Sequence, residues 1–155
     1  MTAALGVILD HKANTQRFFG GTEVTRDNNF SCHTDEITCL SVSSDRTTAV
    51  SGQHPDPQIF AWDALTGEKI LRLPLKQSAV GIQCVAISYD CQYLAAVDMS
   101  DDHTLCVVEV QSGNFVWTIH GDSNKIYDVA FSQKPGSDEI CTVGTNHVCF
   151  WHYET

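Results

Sequence analysis

The sequence predicts an all-β fold, and three observations identify that fold as part of a β-propeller. A strand-like motif occurs three times, as ITCLSV from Ile37, IQCVAI from Ile82 and IYDVAF from Ile126, at steps of 45 and 44 residues. Two further apolar runs follow each copy, and the last run of the first and third copies contains a Trp. No segment of useful length has helical periodicity. Repeats of 40–45 residues with several strands per copy are typical of propeller blades.

Residues 1–20 are interpreted as the two closing strands of a preceding blade. The strands are placed at Val7–Asp10 and Gln16–Phe19, where short apolar runs are separated by a polar turn. Residues 21–35 are interpreted as an insertion and a loop, because they contain no strand pattern. We expect the insertion to contact a neighbour in an assembly, since long loops in compact domains are usually functional or disordered.

Residues 36–73 are predicted to form one blade of four strands. The three inner strands are Glu36–Ser43, Thr47–Gly52 and Gln58–Asp63, and the outer strand is Lys69–Leu73. Pro, Asp, Ser and Gly residues fall between these runs and supply the turns.

Residues 81–119 repeat this order, and residues 125–155 repeat it without an outer strand. Gly67 and Gly113 occupy matching turns 46 residues apart, which supports the alignment of the copies. The prediction is therefore a WD-repeat β-propeller of about three blades, in an incomplete ring.

Polar residues recur at positions where a WD repeat forms a hydrogen-bonded network. Such buried groups stabilise a blade only when each has a partner. The predicted network residues are His33, Ser51, Trp62 and Asp63 in the first full blade, and His120, Thr142 and Trp151 in the last. The middle copy has Val108 in place of the Trp, so we expect it to lack the network.

Composition excludes several classes of protein. The 155 residues carry a formal net charge of −10, from 9 basic and 19 acidic side chains, and no basic stripe for nucleic acid is present. No apolar run is long enough to span a membrane, and the first residues do not resemble a secretory signal. The seven cysteines are interpreted as reduced, mostly buried residues of a cytosolic protein.

The amino-acid sequences of the motifs resemble one family more closely than they resemble WD repeats in general. The relevant segments, in chain order, are GVILD at 6, NTQRFF at 14, HTDEITCL at 33, VSGQ at 50, IFAWD at 59, IYDVAFS at 126 and CTVGTNHVCFW at 141. They resemble the amino-terminal propeller of the echinoderm microtubule-associated protein-like family over nearly the whole chain. Two features depart from that family. The insertion Gly21–Ser31 is followed by Cys32 in place of a Gly before His33, and the hydrophobic motif that precedes the first blade in the family is absent.

The resemblance implies a microtubule-associated protein without enzymatic activity. The implied partners are tubulin, microtubules or other cytoskeletal proteins, and the implied location is the cytoplasm and cytoskeleton, including the axoneme of a cilium or flagellum. No cofactor is expected. The alternative is a general WD-repeat interaction scaffold in signalling or protein turnover.

Basic side chains are the candidate contacts for an acidic tubulin surface, because they are scarce in this chain. They are Arg17, Arg26, Lys69, Arg72, Lys76 and Lys125. Solvated surface residues would show the same pattern.

Metal and catalytic sites are weakly supported. Asp98, Asp101, Asp102 and His103 form an acidic turn without the spacing of a calcium loop. Histidines and cysteines near residues 32–33 and 147–152 lack a paired zinc-binding module. No nucleophile motif or phosphate-binding loop is present. We therefore expect no metal site and no enzyme.

Three blades cannot close a ring, because propellers have four to eight. Each terminal blade would expose an apolar face that a neighbour normally covers. We expect the segment to be completed by the rest of a longer chain or by partner chains.

Overall fold

The computed structural model describes residues 4–20, 32–75 and 80–154, and these contain strands and turns but no helix. The strands pair in antiparallel sheets throughout. The all-β, incomplete propeller predicted from the repeat is confirmed. In the described part of the chain, nothing helical is available to cross a membrane.

Thirteen strands follow one another along the described residues. In chain order they are β1 (Leu5–Asp10), β2 (Thr15–Gly20), β3 (Glu36–Val42), β4 (Thr48–His54), β5 (Gln58–Asp63), β6 (Lys69–Pro74), β7 (Ile82–Ile87), β8 (Tyr93–Asp98), β9 (Leu105–Glu109), β10 (Phe115–Ile119), β11 (Ile126–Phe131), β12 (Glu139–Gly144) and β13 (His147–His152).

The strands form a β1–β2 hairpin and three larger sheets. The first sheet is β3-β4-β5-β6, the middle sheet is β7-β8-β9-β10 and the third sheet is β11-β12-β13. Strand β7 lies against β3 on one side and β11 on the other, so the leading strands of the three sheets are neighbours. We call the end of the sheets where β3, β7 and β11 begin the upper end, and the opposite end the lower end.

Two apolar layers join the sheets. Between the first and middle sheets, Val50, Ile59, Ala61, Ile82, Val85 and Leu94 belong to one buried cluster. Between the middle and third sheets, Val97, Leu105, Val107, Ile126, Val129 and Ile140 belong to another. The middle sheet is thus covered by apolar side chains on both faces, which explains why its strands lack the alternating pattern of a half-exposed sheet.

A β-bulge recurs at the same place in each leading strand. The register shifts between Ile37 and Cys39 in β3, and at the equivalent positions of β7 and β11. In β3 the bulge frees the Thr38 hydroxyl to donate to the Ile82 carbonyl at 2.6 Å. The bulge thereby adds a polar link between two neighbouring sheets.

The two turn glycines predicted to match have the same backbone conformation. Gly67 has φ +79° and Gly113 has φ +72°, in the left-handed region that side chains disfavour. Gly67 also packs closely on the hairpin, because a Cβ added to it would lie 2.9 Å from the carbonyl oxygen of Phe18. The turn therefore links the first sheet to the hairpin.

Candidate functional site

A buried hydrogen-bonded network lies in the first sheet and its leading loop. The Trp62 indole donates to Ser51 Oγ at 3.2 Å, and Ser51 Oγ lies 2.7 Å from His33 Nε2. The other ring nitrogen, Nδ1, lies 2.8 Å from Gln53 Oε1. The structure thus brings together three of the predicted residues, His33, Ser51 and Trp62, and adds Gln53.

The partners of His33 determine which nitrogen carries its proton. The Gln53 amide is oriented by Thr34, whose backbone N–H also donates to Oε1. Because Oε1 can only accept, Nδ1 is the donor and Nε2 accepts from the Ser51 hydroxyl. Burial lowers the pKa of His33 from 6.5 to about 4, although the hydrogen bond to Gln53 opposes that shift. His33 is therefore neutral at physiological pH.

Aromatic rings enclose this network and connect it to the hairpin. Phe19 of β2 stacks on Trp62 with ring centroids 4.8 Å apart and planes 4° from parallel. His33 meets Phe60 edge to face at 4.6 Å. The network therefore lies inside a dry layer, where an unpaired polar group would be costly.

The third sheet repeats the chain of donors with a different imidazole. The Trp151 indole donates to Thr142 Oγ1 at 2.8 Å, and Thr142 Oγ1 lies 2.7 Å from His147 Nε2. His147 Nδ1 is 3.0 Å from Asp122 Oδ2. The bonds to Asn124 and then to His147 hold the pKa of Asp122 below its ordinary value. The acceptor at the end of this network is therefore a carboxylate, in place of the amide of Gln53.

The prediction of His120 for this network is wrong. His33 precedes the repeat isoleucine by four positions, and Asp122 holds that position in the third copy, whereas His120 lies two residues earlier. The His120 side chain is 83% exposed and sits 3.7 Å from Asp102. His147, at the start of β13, supplies the imidazole instead. Counting back four residues from Ile126 would have excluded His120, but no signal in the sequence identified His147 as its substitute.

Asp63 also lies outside the network. Successive strand side chains point to opposite faces, so Asp63 points away from the face that Trp62 occupies. Its carboxylate accepts from the backbone N–H groups of Leu65 and Thr66, at 2.7 and 2.9 Å. These bonds lower the pKa of Asp63 and stabilise the turn before β6.

The middle sheet has apolar residues in place of the network. Ala96 and Val108 occupy the positions of Ser51 and Trp62, and both are fully buried. The expectation that this copy keeps its shape without the polar bonds agrees with these positions.

The basic residues expected to contact a partner are divided between the two ends of the sheets. Arg17 of β2 donates to the Leu65 carbonyl, and exposed Lys69 begins β6, so both lie near the lower end. Arg72 donates to Gln58 Oε1 at 2.7 Å, towards the upper end. Lys125 precedes β11 at the upper end, 5.7 Å from the centroid of the Tyr127 ring. These residues do not form one patch. The other expected contacts lie outside the described residues; they are Arg26, Lys76 and the insertion 21–31.

The acidic turn and the cysteines have structural roles. Asp98 is buried and accepts from the Ser100 hydroxyl at 2.5 Å and the Thr104 backbone N–H at 2.9 Å. Cys32, Cys84 and Cys106 are buried, and burial raises the pKa of Cys106 to about 12. Within residues 4–20, 32–75 and 80–154, no three His, Cys, Asp or Glu side chains are grouped to hold a metal.

Two apolar faces are exposed at the ends of the described arc. The hairpin face is formed by Leu5, Val7, Leu9 and Phe18, with Val7 directly opposite Phe18. The β13 face is formed by Val143, Val148 and Phe150, and the last two are 69% and 71% exposed. Contiguous apolar surface of this kind usually marks an interaction site.

Comparison of the sequence with protein families finds the WD domain, G-beta repeat, at residues 25–63 and 69–109. The match covers more than half of the chain and includes strands β3 to β9.

Several proteins are similar along most of the chain. The ciliary WD repeat-containing protein ctxp80 of Euplotoides octocarinatus is 35% identical, covering 97% of this chain and 22% of that protein. Echinoderm microtubule-associated protein-like 3 of Mus musculus is 30% identical, covering 78% and 15%. Echinoderm microtubule-associated protein-like 1 of Rattus norvegicus is 26% identical, covering 98% and 19%. The chain spans less than a quarter of the length of each of these relatives.

The crystal structure of RRP9 WD40 repeats has the same fold. It superposes with a TM-score of 0.64 at 23% identity, covering 99% of this chain and 41% of that one. The strand architecture derived above is therefore that of WD40 repeats.

Proposed function

Because the chain belongs to the WD-repeat family, with echinoderm microtubule-associated protein-like and ciliary WD-repeat proteins among its homologues, we propose that it is a non-enzymatic scaffold that binds microtubules. Its proposed partners are tubulin or other proteins of the microtubule and axoneme. Its proposed location is the cytoskeleton, in the cytoplasm and in cilia or flagella.

The observation that carries this proposal is the similarity across nearly the whole chain to a ciliary WD-repeat protein. The microtubule-associated proteins are less identical, but the matches cover 78% and 98% of this chain. Both names place the relatives at microtubule-based structures. The sequence motifs that resemble the same family agree with this assignment.

The surface of the arc supports a binding role. The hairpin face and the β13 face expose apolar side chains that a neighbour could bury. Exposed Lys69 lies near the lower end of the sheets and exposed Lys125 at the upper end, within an acidic protein. Basic side chains at either end of the sheets are therefore candidate contacts for a microtubule surface.

Co-sedimentation with assembled microtubules tests the proposal. The full-length protein is mixed with microtubules over a series of salt concentrations, and the pelleted fraction is measured. We expect binding that weakens as salt rises, because exposed charge pairs are screened within about 10 Å at 0.1 M salt. A pelleted fraction no greater than that of a non-binding control protein at the lowest salt would contradict the proposal.

Two single-charge variants identify the end that makes contact. Lys69→Gln removes a charge at the lower end and Lys125→Gln removes one at the upper end. We expect one of them to weaken binding by roughly threefold, since an exposed ion pair is worth about 0.2–1 kcal/mol. Equal binding by both variants and wild type would exclude Lys69 and Lys125 as contacts and assign binding to the side faces or to other segments.

A further inference from the structure

A cleft of about 200 Å³ opens between the middle and third sheets at their lower end. The turn after β7 forms one wall and the loop between β11 and β12 forms the other. The side chains that define its chemistry are Tyr89, Asp90, Tyr93, Lys134, Asp138 and Tyr153. A volume below the roughly 300 Å³ of typical small-molecule sites suits a single side chain better than a cofactor.

Tyr153 is the buried wall of this cleft. The residue is only 4% exposed, and its ring packs edge to face on Phe131 and Tyr93 at centroid distances of 5.8 and 5.7 Å. Its backbone N–H donates to the Asp138 carbonyl. The hydroxyl, however, has no hydrogen bond to any residue within the described ranges. Buried hydroxyls are normally paired, so this one has capacity to bond a group that enters the cleft.

The charges around the hydroxyl favour a cation. Burial, followed by the negative charges of Asp90 and Asp138, raises the pKa of Tyr153 to about 12, so the hydroxyl remains protonated. Asp90 Oδ1 accepts from Ser88 Oγ at 2.7 Å and from the Gln92 backbone N–H at 3.1 Å. These bonds fix the carboxylate in place and leave Oδ2 to accept from a ligand. Two carboxylates oppose the single ammonium of Lys134, and Asp138 Oδ1 also lies 3.5 Å from His152 Nδ1 beside the cleft.

An aromatic surface adjoins the carboxylates. Tyr89 is 47% exposed and lines the mouth of the cleft. A guanidinium group stacks on such a ring and donates to carboxylates through a planar fork of five N–H groups. A hydroxyl nearby can accept from the same group while donating to a carbonyl oxygen of the partner.

We propose that this cleft binds an arginine side chain presented by a basic segment of a partner protein. Asp90 and Asp138 pair with the guanidinium, Tyr89 stacks on it, and the Tyr153 hydroxyl completes its hydrogen bonds. The open space beside Gly136, where an added Cβ would meet nothing within 4 Å, lets the partner's backbone approach. This site does not depend on binding to microtubules, because its chemistry selects a basic partner.

Ligand-observed saturation-transfer NMR with the full-length protein tests the site. The probe is the capped peptide acetyl-Gly-Arg-Gly-amide, and the control is the same peptide with citrulline, which keeps the shape of arginine but has no charge. We expect saturable, millimolar binding of the arginine peptide and about tenfold weaker binding of the citrulline peptide, the difference expected from charge-assisted hydrogen bonds.

Four variants distinguish the cleft from general charge attraction. Tyr153→Phe keeps both ring contacts and should weaken binding by about threefold, and Asp90→Asn should weaken it by about tenfold. Lys134→Gln removes the competing ammonium and should strengthen binding by roughly twofold. Asp102→Asn removes an exposed carboxylate beside His120, away from the cleft, and should change nothing.

Thermal unfolding of each variant confirms that it is folded, and Tyr153→Phe should melt at the wild-type temperature because its hydroxyl has no partner among the described residues. Equal signals from the arginine and citrulline peptides would overturn the proposal. Wild-type binding by folded Tyr153→Phe and Asp90→Asn would overturn it as well, as would an Asp102→Asn effect equal to that of Asp90→Asn.

Discussion

Acidification should destabilise the first sheet through His33. Its pKa is about 4 in the folded protein and 6.5 in the unfolded chain, so the unfolded chain binds a proton first as the pH falls. Stability is therefore complete above pH 6.5 and is lost progressively between pH 6.5 and pH 4. The slope approaches about 1.4 kcal/mol per pH unit for one proton.

The network shows why the proton is unfavourable. A proton on Nε2 would face the Ser51 hydroxyl, which now donates to that atom. Ser51 would have to turn its proton away, into a region enclosed by Phe19 and Trp62. Linkage then gives a loss of about 2 kcal/mol between pH 7 and pH 5. With an m-value of about 2 kcal/mol/M, the urea midpoint should fall by about 1 M.

The assay is urea unfolding at pH 7 and pH 5, followed by Trp fluorescence, in wild type and two histidine variants. His33→Gln cannot titrate and should lose most of the pH dependence, although it is less stable at pH 7. His120→Gln removes an exposed histidine and should behave as wild type. The carboxylates with shifted pKa values do not interfere, because each is lowered and titrates below this range: Asp10, Asp45, Asp63 and Asp122. An unchanged wild-type midpoint, or the same drop in His33→Gln, would refute the reasoning.

Three further outcomes follow from the same geometry. Gln53→Glu gives His33 a carboxylate partner like that of His147, so the pKa of His33 should rise. The difference in urea midpoint between pH 7 and pH 5 should then fall by about half. An undiminished difference would show that Gln53 does not set the charge state of His33. Ser51→Ala leaves the Trp62 indole N–H and His33 Nε2 without a partner, and calorimetry should show a loss of about 2 kcal/mol in the free energy of unfolding. A loss below ~0.5 kcal/mol would mean that these bonds contribute little. Gly67→Ala should lower the free energy of unfolding by more than the ~1–2 kcal/mol expected for a left-handed residue, because its Cβ also meets a carbonyl oxygen. Gly136→Ala, at φ +71° in open space, should show the backbone effect alone. Equal melting temperatures for the two variants would contradict this.

The strands were predictable because repetition reveals them three times. The predicted Glu36–Ser43 and Gln58–Asp63 correspond to β3 and β5 with a difference of at most one residue. Alternation and turn residues determine such boundaries locally. The division of the chain into blades stays a prediction, although the sheets follow the same order.

The network was only partly predictable, because its members come from different elements. Ser51 and Trp62 occupy adjoining strands of one repeat, and the pattern places them on one face. The third copy exchanges the imidazole of the leading loop for that of His147 in β13, while the order of donors and acceptors is unchanged. A one-dimensional pattern records positions, whereas the fold requires only that each donor meets an acceptor.

The cleft was missed for a related reason. Asp90 belongs to a turn that also occurs at Asp45, with the same hydroxyl bond from a preceding serine. In the third copy Lys134 takes the equivalent position. The sequence shows that substitution, but only the stacking of sheets brings Asp90, Lys134 and the buried Tyr153 to one place.

The apolar interior of the middle sheet has a consequence in the cold. Ala96 and Val108 stand where the neighbouring sheets have hydrogen-bonded polar side chains, and they make no side-chain hydrogen bonds themselves. At these positions the middle sheet is stabilised by the hydrophobic effect alone. That driving force has a large heat capacity and fades on cooling, whereas hydrogen bonds do not share this dependence. On cooling, the exchange protection of amide hydrogens in β8 and β9 should therefore fall more steeply than that of amide hydrogens in β4 and β5.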